Sequence, residues 1–430
     1  MQRAECRGQS REFPKTSISA LCTLLSALWV SCAARTQPTE TLELWGLGRE
    51  GEVLTQLIPE FEKQNPKIKV TVQQIPWSAA HEKLLTAFVG DATPDIAQMG
   101  NTWIPEFTAV GALDDLSALP IEKNDYFPGI WATNVVDGKL YGVPWYVDTR
   151  VLFYRRDMLA RAGYPNAPRT WAEWLDAMEK IRARKLSRFG IIMPTNEWEE
   201  PVTFAFSNGS TLLTPDGTRG AFRQKAFAEA FAFYVDIYKR GYAPVDTNQQ
   251  IANLHQQFAQ GDFAMFITGP WNVGECRRRL PADMQDKWAT APLPGRNGIG
   301  VSLAGGSSLV IFRASKQKEA ARKFIAFLSE PAQQVRFFEL TGDLPARRSA
   351  WQSPALAAEP AFPAFREQLE SVRPLPQVPE WEQIATAIYD RGEAAARGTI
   401  SVNEAVAQLD ARADALLEKR RWILSRGSVR

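Results

Sequence analysis

Asp148 is the residue whose setting says most about chemistry. It follows Val143-Pro-Trp-Tyr-Val147, a β-type run, and precedes Arg150 and the near-continuous apolar run Val151-Leu-Phe-Tyr154. A carboxylate between two strand-forming stretches, beside two aromatics and an arginine, is equipped for a ligand with both hydroxyls and flat apolar faces. It also suits a plain strand-end cap or an ion pair. Glu50, Glu200 and Arg373 are further charged candidates. Six of the 14 tryptophans fall outside helical-core spacing: Trp45, Trp77, Trp103, Trp145, Trp198 and Trp271. Most such indoles pack in cores, but Trp271 follows Gly269-Pro270, a turn that would present its ring at a strand end.

Other chemistries find less support. Asp148 and Glu200 are in principle a glycosidase pair. Only His81 and His255 exist, in no metal-binding spacing, and neither a nucleotide-binding glycine motif nor a G-x-S-x-G element is present. The sequence therefore calls for no cofactor and no metal.

The elements that position these residues can be read in order. Thr41–Trp45 reads as a strand, and Val53, Leu54, Leu57, Ile58 and Phe61 recur at helical spacing. Ile68, Val70 and Val72 alternate as a second strand, and a helix over 79–89 leads to a third strand at 94–99. This βαβαβ order predicts ligand access at the strands' carboxyl ends. Thr170-Trp-Ala-Glu173 is a capping box. The stretch 196–206, with Trp198, Glu199, Glu200 and Pro201, reads as a loop, and 221–240 as a long helix. Val402, Val406, Leu409, Ala413, Leu416 and Leu417 form a stripe that suits packing on the rest of the chain or, alternatively, coiled-coil dimerisation.

At 430 residues the chain exceeds what one core usually holds, so two domains are expected. Hydrophobic content of 45%, charged content of 23% and a net charge of +2 fit a globular protein and argue against nucleic-acid binding. The amino terminus has a basic stretch (Arg3, Arg7, Arg11, Lys15), then an apolar run from Ile18 to Val30 and small residues, which is a secretory signal pattern over 1–33. Val30-Ser31-Cys32 suggests lipoprotein processing before Cys32, whereas Ser31-Cys32-Ala33 suits ordinary cleavage. The expected location is thus periplasmic, or lipid-anchored outside the membrane through Cys32. Cys276 is the only cysteine in the body, so the fold rests on its core and not on disulfides.

The segment 142–157 carries a resemblance. It matches a pattern G-[VI]-P-x-x-x-[DE]-x-x-x-L-x-Y-[NR]-x-D at Gly142, Pro144, Asp148, Leu152, Tyr154, Arg155 and Asp157. Phe258, Gly261, Ala264, Met265, Gly269 and Trp271 match a second, F-x-x-G-x-x-A-M-x-x-x-G-x-W. "PEFEKQNPKIKV", "TPDIAQM" and Leu344-Pro-Ala-Arg347 add to these. Together they resemble the extracellular solute-binding proteins of sugar ABC transporters, family 1, in the maltose/trehalose-binding branch.

The resemblance implies an α/β, two-lobed periplasmic-binding-protein fold (type II), each lobe a mainly parallel sheet flanked by helices, joined by a hinge. The implied lobes are 41–147 plus 305–347 and 148–304 plus 348–430. The implied ligand is an α-glucoside disaccharide of trehalose or maltose type, with glycerol-3-phosphate or another family solute as the alternative. The implied partners are that sugar and the membrane subunits of an ABC permease, with the protein itself a monomer and not an enzyme. The implied ligand-binding set is Glu50, Trp77, Asn101, Trp103, Tyr146, Asp148, Trp198, Glu200, Trp271, Gly305, Gly306 and Arg373. Gly100 stands where the branch has an aspartate, which passes that role to Asn101 or to no side chain. Glu50 can equally be a helix-start residue favoured by the dipole, and Arg373 a surface ion pair.

Overall fold

The computed structural model describes residues 40–251 and 253–427. The stretch 1–33 expected to be an export signal, with Cys32, lies outside the described residues. Two sheets organise the rest. The first has six strands in the spatial order Leu344–Pro345, Val143–Asp148, Gly305–Ile311, Ile96–Gly100, Glu40–Leu47, Ile68–Ile75. The second has four, in the order Trp288–Ala291, Val151–Arg155, Phe263–Thr268, Phe189–Ile192. Helices flank both, so the molecule is the two-lobed α/β protein that the sequence implies.

Strand direction is the point of correction. Both sheets are mixed, not mainly parallel. In the first, Glu40–Leu47 pairs in parallel with both its neighbours, but Gly305–Ile311 runs antiparallel to Ile96–Gly100 and to Val143–Asp148. In the second, Phe189–Ile192 and Phe263–Thr268 are parallel and the remaining pairings antiparallel. The antiparallel strands are those adjoining a passage between the sheets. A strand that leaves one sheet to enter the other has no helical return on its own side, and the right-handed βαβ connection that enforces parallel pairing does not apply to it.

Val143–Asp148 ends in the first sheet and Val151–Arg155 begins in the second, so Thr149 and Arg150 alone bridge them. Ser302–Leu303 pairs with Val372–Arg373, and two residues past Leu303 the chain joins the first sheet at Gly305. The passages are stitched together. Arg150 N–H donates to Ser302 Oγ at 3.1 Å, Ser302 Oγ–H donates to the Arg150 carbonyl at 2.9 Å, and Ala304 N–H donates to the Arg373 carbonyl at 3.0 Å.

Each sheet has its own core. Leu42, Leu44, Ile96, Leu309 and Ile311 pack with Phe324, Ile325 and Leu328 of the helix Lys318–Leu328. Leu152 and Met265 pack with Trp174, Phe204, Phe231 and Ile384. A further cluster joins Tyr126, Phe127 and Ile130 to Phe153, Phe266 and Phe365, so one side of the seam between the sheets is filled. The stripe Val406–Leu417 packs on the helices Lys225–Lys239 and Trp381–Ala396, which uses up the face that coiled-coil pairing would need. The capping box forms as expected, with Thr170 Oγ1 accepting from Glu173 N–H and the Glu173 carboxylate from Thr170 N–H.

The stretch read as a loop over 196–206 is instead a helix from Glu199 to Ser207. Pro201 sits in its first turn, where a missing N–H costs nothing, and the two glutamates favour the dipole there. No helix among the described residues is long and apolar enough to cross a membrane.

Candidate functional site

A cleft of about 490 Å³ opens where the passages meet, and residues from both sheets line it. From the first come Glu50, Trp77, Asn101, Trp103, Tyr146, Gly306 and Asp343; from the second come Trp198, Glu199, Trp271 and Leu375, with Asp148 and Arg150 at the crossing. The strand carboxyl ends place them. Glu50 opens the helix Gly48–Leu54 directly after the first strand, and Trp271 opens the helix Trp271–Arg279 after Phe263–Thr268.

Glu50 accepts from two aromatic side chains. The Tyr146 hydroxyl donates to its Oε1 at 3.1 Å and Trp77 Nε1–H to its Oε2 at 3.3 Å. Burial and then the Glu50 charge push the Tyr146 phenol well above its ordinary range, so it stays a donor. Asp343 completes this corner. Burial and then Glu50 raise its carboxyl to about 7.

Asp148 holds Arg150. Nη1 of the guanidinium reaches both carboxylate oxygens, at 3.0 and 2.8 Å, while Nη2 reaches Glu199 Oε1 at 3.1 Å. Burial pushes the Asp148 carboxyl up and Arg150 pulls it back; for Arg150, burial opposes the charge and Asp148 and Glu199 more than restore it. The guanidinium lies over the Trp271 ring, 4.9 Å from its centre. Trp271 is 43% exposed, so its ring has a cation on one side and open cleft elsewhere. Gly269 is required for space and not for backbone freedom: a Cβ there would fall 2.1 Å from the indole and 2.7 Å from Asp148 Oδ1.

Gly306 adopts φ +122°, and a Cβ on it would fall 2.3 Å from the Tyr146 carbonyl, so the backbone comes as near to the crossing strand as only glycine permits. Asn101 lines the cleft but is 4% exposed and donates to the Ala304 carbonyl at 2.9 Å, a tie between strands. Trp103 stands edge-on to Trp77 at 5.8 Å and Trp198 edge-on to Trp381 at 5.6 Å, which sets both as walls. Trp45 and Trp145 are core residues.

Two expected site residues lie elsewhere. Glu200 is 2% exposed and absent from the lining; Glu199 is the carboxylate in the cleft. One residue along a helix turns the side chain by about 100°, which sends Glu200 inward. Arg373 lines a neighbouring groove and donates to the Ser210 carbonyl at 2.8 Å. Sequence reasoning missed Glu199, Asp343 and Leu375 and left Arg150 without a role, although Arg150 adjoins Asp148 and Asp343 immediately precedes Leu344-Pro345.

Glu197, Glu199 and Glu200 bring carboxylate oxygens within 4.8 Å of one another. Burial and then mutual repulsion raise the carboxyls of Glu197 and Glu200, while Arg150 and the Asn248 amide already serve Glu199 and Glu197.

Comparison with known proteins adds three findings. Residues 45–335 match the family described as bacterial extracellular solute-binding protein. The chain is similar to the sugar-binding protein MalE from the phytopathogen Xanthomonas citri, with 47% identity and a TM-score of 0.86, over 90% of this chain and 99% of that one. It is also 28% identical to the diacetylchitobiose binding protein DasA of Streptomyces coelicolor, over 80% of this chain and 82% of the relative, and 25% identical to the galactooligosaccharide-binding protein of Bacillus subtilis, over 92% and 95%.

Proposed function

The chain belongs to the bacterial extracellular solute-binding proteins, and from that premise we propose that it captures an α-glucoside of maltose or trehalose type between its lobes and delivers it to an ABC permease. Members of this family are binding components of importers and not enzymes, so Asp148 and its neighbours bind without cleaving. One observation carries the sugar reading: a half-exposed indole, Trp271, opens into a cleft that also presents the carboxylates Glu50, Asp148 and Glu199. The indole offers a flat apolar face to a pyranose ring, and the carboxylates accept from hydroxyls.

The same charges weigh against a phosphorylated solute such as glycerol-3-phosphate. Glu50, Asp148 and Glu199 outnumber Arg150, whose guanidinium is already paired. The protein works outside the cytoplasmic membrane, free in the periplasm or held through Cys32. A thermal-shift screen over trehalose, maltose and unrelated sugars tests the assignment, because a ligand that binds only the folded state raises its stability. An α-glucoside should give the largest rise; no rise with any sugar overturns the reading.

A further inference from the structure

The last helix, Glu418–Gly427, carries charge out of proportion to the rest of the chain. Residues 418–430 hold five cations, Lys419, Arg420, Arg421, Arg426 and Arg430, against one acidic side chain, Glu418, although the whole protein nets only +2. Helix phase sorts these residues. Lys419, Trp422, Ile423 and Arg426 stand at i, i+3, i+4 and i+7 and so share one face. That face is turned to solvent: all four are exposed, Trp422 at 55% and Ile423 at 50%. Arg421 lies on the other side and fixes the helix to the body, donating to the carbonyls of Thr218 and Asp414 at 2.8 and 2.7 Å.

The charge is not cancelled from within. Bonds to backbone carbonyls orient the Arg421 guanidinium without neutralising it. Asp414, whose carbonyl it grips, gives its carboxylate to Arg219 at 3.2 Å and to Gly220 N–H at 3.0 Å. The Arg426 guanidinium lies over the Trp422 ring, 4.2 Å from its centre, an interaction that keeps the cation beside the indole.

The two halves of the exposed face discriminate between partners. An acidic peptide or a free phosphate answers the cations but leaves Trp422 and Ile423 in water. A second protein usually covers about 20–30 residues a side, and a convex helix of 10 residues falls well short of that. An anionic bilayer serves both halves at once, with phosphate headgroups for Lys419 and Arg426 and, just beneath them, an acyl boundary for an indole and an isoleucine. We propose that this helix is a docking face for the surface of a membrane rich in anionic phospholipid. The helix lies on such a membrane without crossing it, since none of the described helices is long and apolar enough to span. Docked there, a binding protein that serves a membrane permease searches a plane for it and not a volume. The proposal goes beyond the sugar reading and stands without it.

Co-sedimentation with vesicles tests it on the chain lacking residues 1–33, so that the apolar run 18–30 takes no part. The protein is expected to pellet with phosphatidylcholine vesicles that contain phosphatidylglycerol, to stay in solution with phosphatidylcholine alone, and to be released by added salt. Lys419→Gln and Arg426→Gln should each weaken partitioning about fivefold, and Trp422→Ser with Ile423→Ser about tenfold. These side chains are exposed, so the variants should keep the melting temperature of the unaltered protein. Should one melt early, quenching by brominated lipid decides: the unaltered protein should be quenched and Trp422→Phe much less so. Equal pelleting with both lipids, or variants that partition like the unaltered chain, overturns the proposal. So does self-association in light scattering that Trp422→Ser abolishes, which would assign the face to a second copy.

Discussion

At the scale of single residues, charge management at the cleft gives the sharpest expectations. Asp148 serves both the Arg150 guanidinium and the open cleft, so Asp148→Ala should weaken sugar binding by about 1.5–3 kcal/mol, the range for hydrogen bonds to charged groups. Calorimetric affinity unchanged per folded molecule would restrict Asp148 to holding Arg150. Trp271→Phe should remove much of the fluorescence change that sugar produces, and an unaltered change would move the stacking surface to Trp77 or Trp198. Asp343 predicts a pH dependence. Its folded carboxyl titrates near 7 against an ordinary 3.8, so between those values the folded protein holds a proton that the unfolded chain has released. Its contribution to stability therefore falls as pH climbs through that window and levels off above it. Asp343→Asn should flatten this part of a melting-temperature profile and raise the melting temperature at pH 8; a profile unchanged by the substitution would show that burial and Glu50 do not hold its carboxyl up. Asp148 and Trp271 were legible as cleft residues because motif spacing carries them, whereas Glu50, Gly305 and Gly306 were reached through the family resemblance. Glu199 and Arg373 were not, since the first depends on helix phase and the second on which of two adjoining hollows a side chain faces.

Among the elements, those with strong periodicity or a capping box were legible, and Thr170–Ala183 is the clearest of them. The helix Glu199–Ser207 was hidden because Glu-Glu-Pro reads equally as a turn, and its apolar residues are buried nearly all round, which erases a 3.6-residue stripe. Strand direction was hidden for a different reason: alternation shows which face is buried and nothing about the neighbour's orientation. The strand Gly305–Ile311 illustrates what tertiary approach demands of a residue. Gly306→Ala would need both a left-handed backbone and a Cβ 2.3 Å from the Tyr146 carbonyl, whereas at Gly305 the nearest atom is 3.0 Å away, the Asp148 carbonyl oxygen. Gly306→Ala is therefore expected to cost at least about 1–3 kcal/mol of folding stability, and more than Gly305→Ala. Thermal unfolding of the two variants side by side checks the order.

At the scale of the whole molecule, we propose that the lobes 41–147 plus 305–347 and 148–304 plus 348–430 close on the ligand about the stitched crossings at Arg150, Ser302 and Ala304. Small-angle scattering should show compaction with a sugar that binds; its absence would place recognition in a rigid cleft. The threading has a consequence for how the protein is made. Among the described residues, Gly305–Ile311 is the only bridge in the first sheet between Ile96–Gly100 and Val143–Asp148. A chain emerging amino terminus first therefore has its first sheet in two disconnected pieces until more than 300 residues are out. Such long-range pairing is slow to form, so the first sheet gains its rigidity late, only once the strand that joins its two halves has been made.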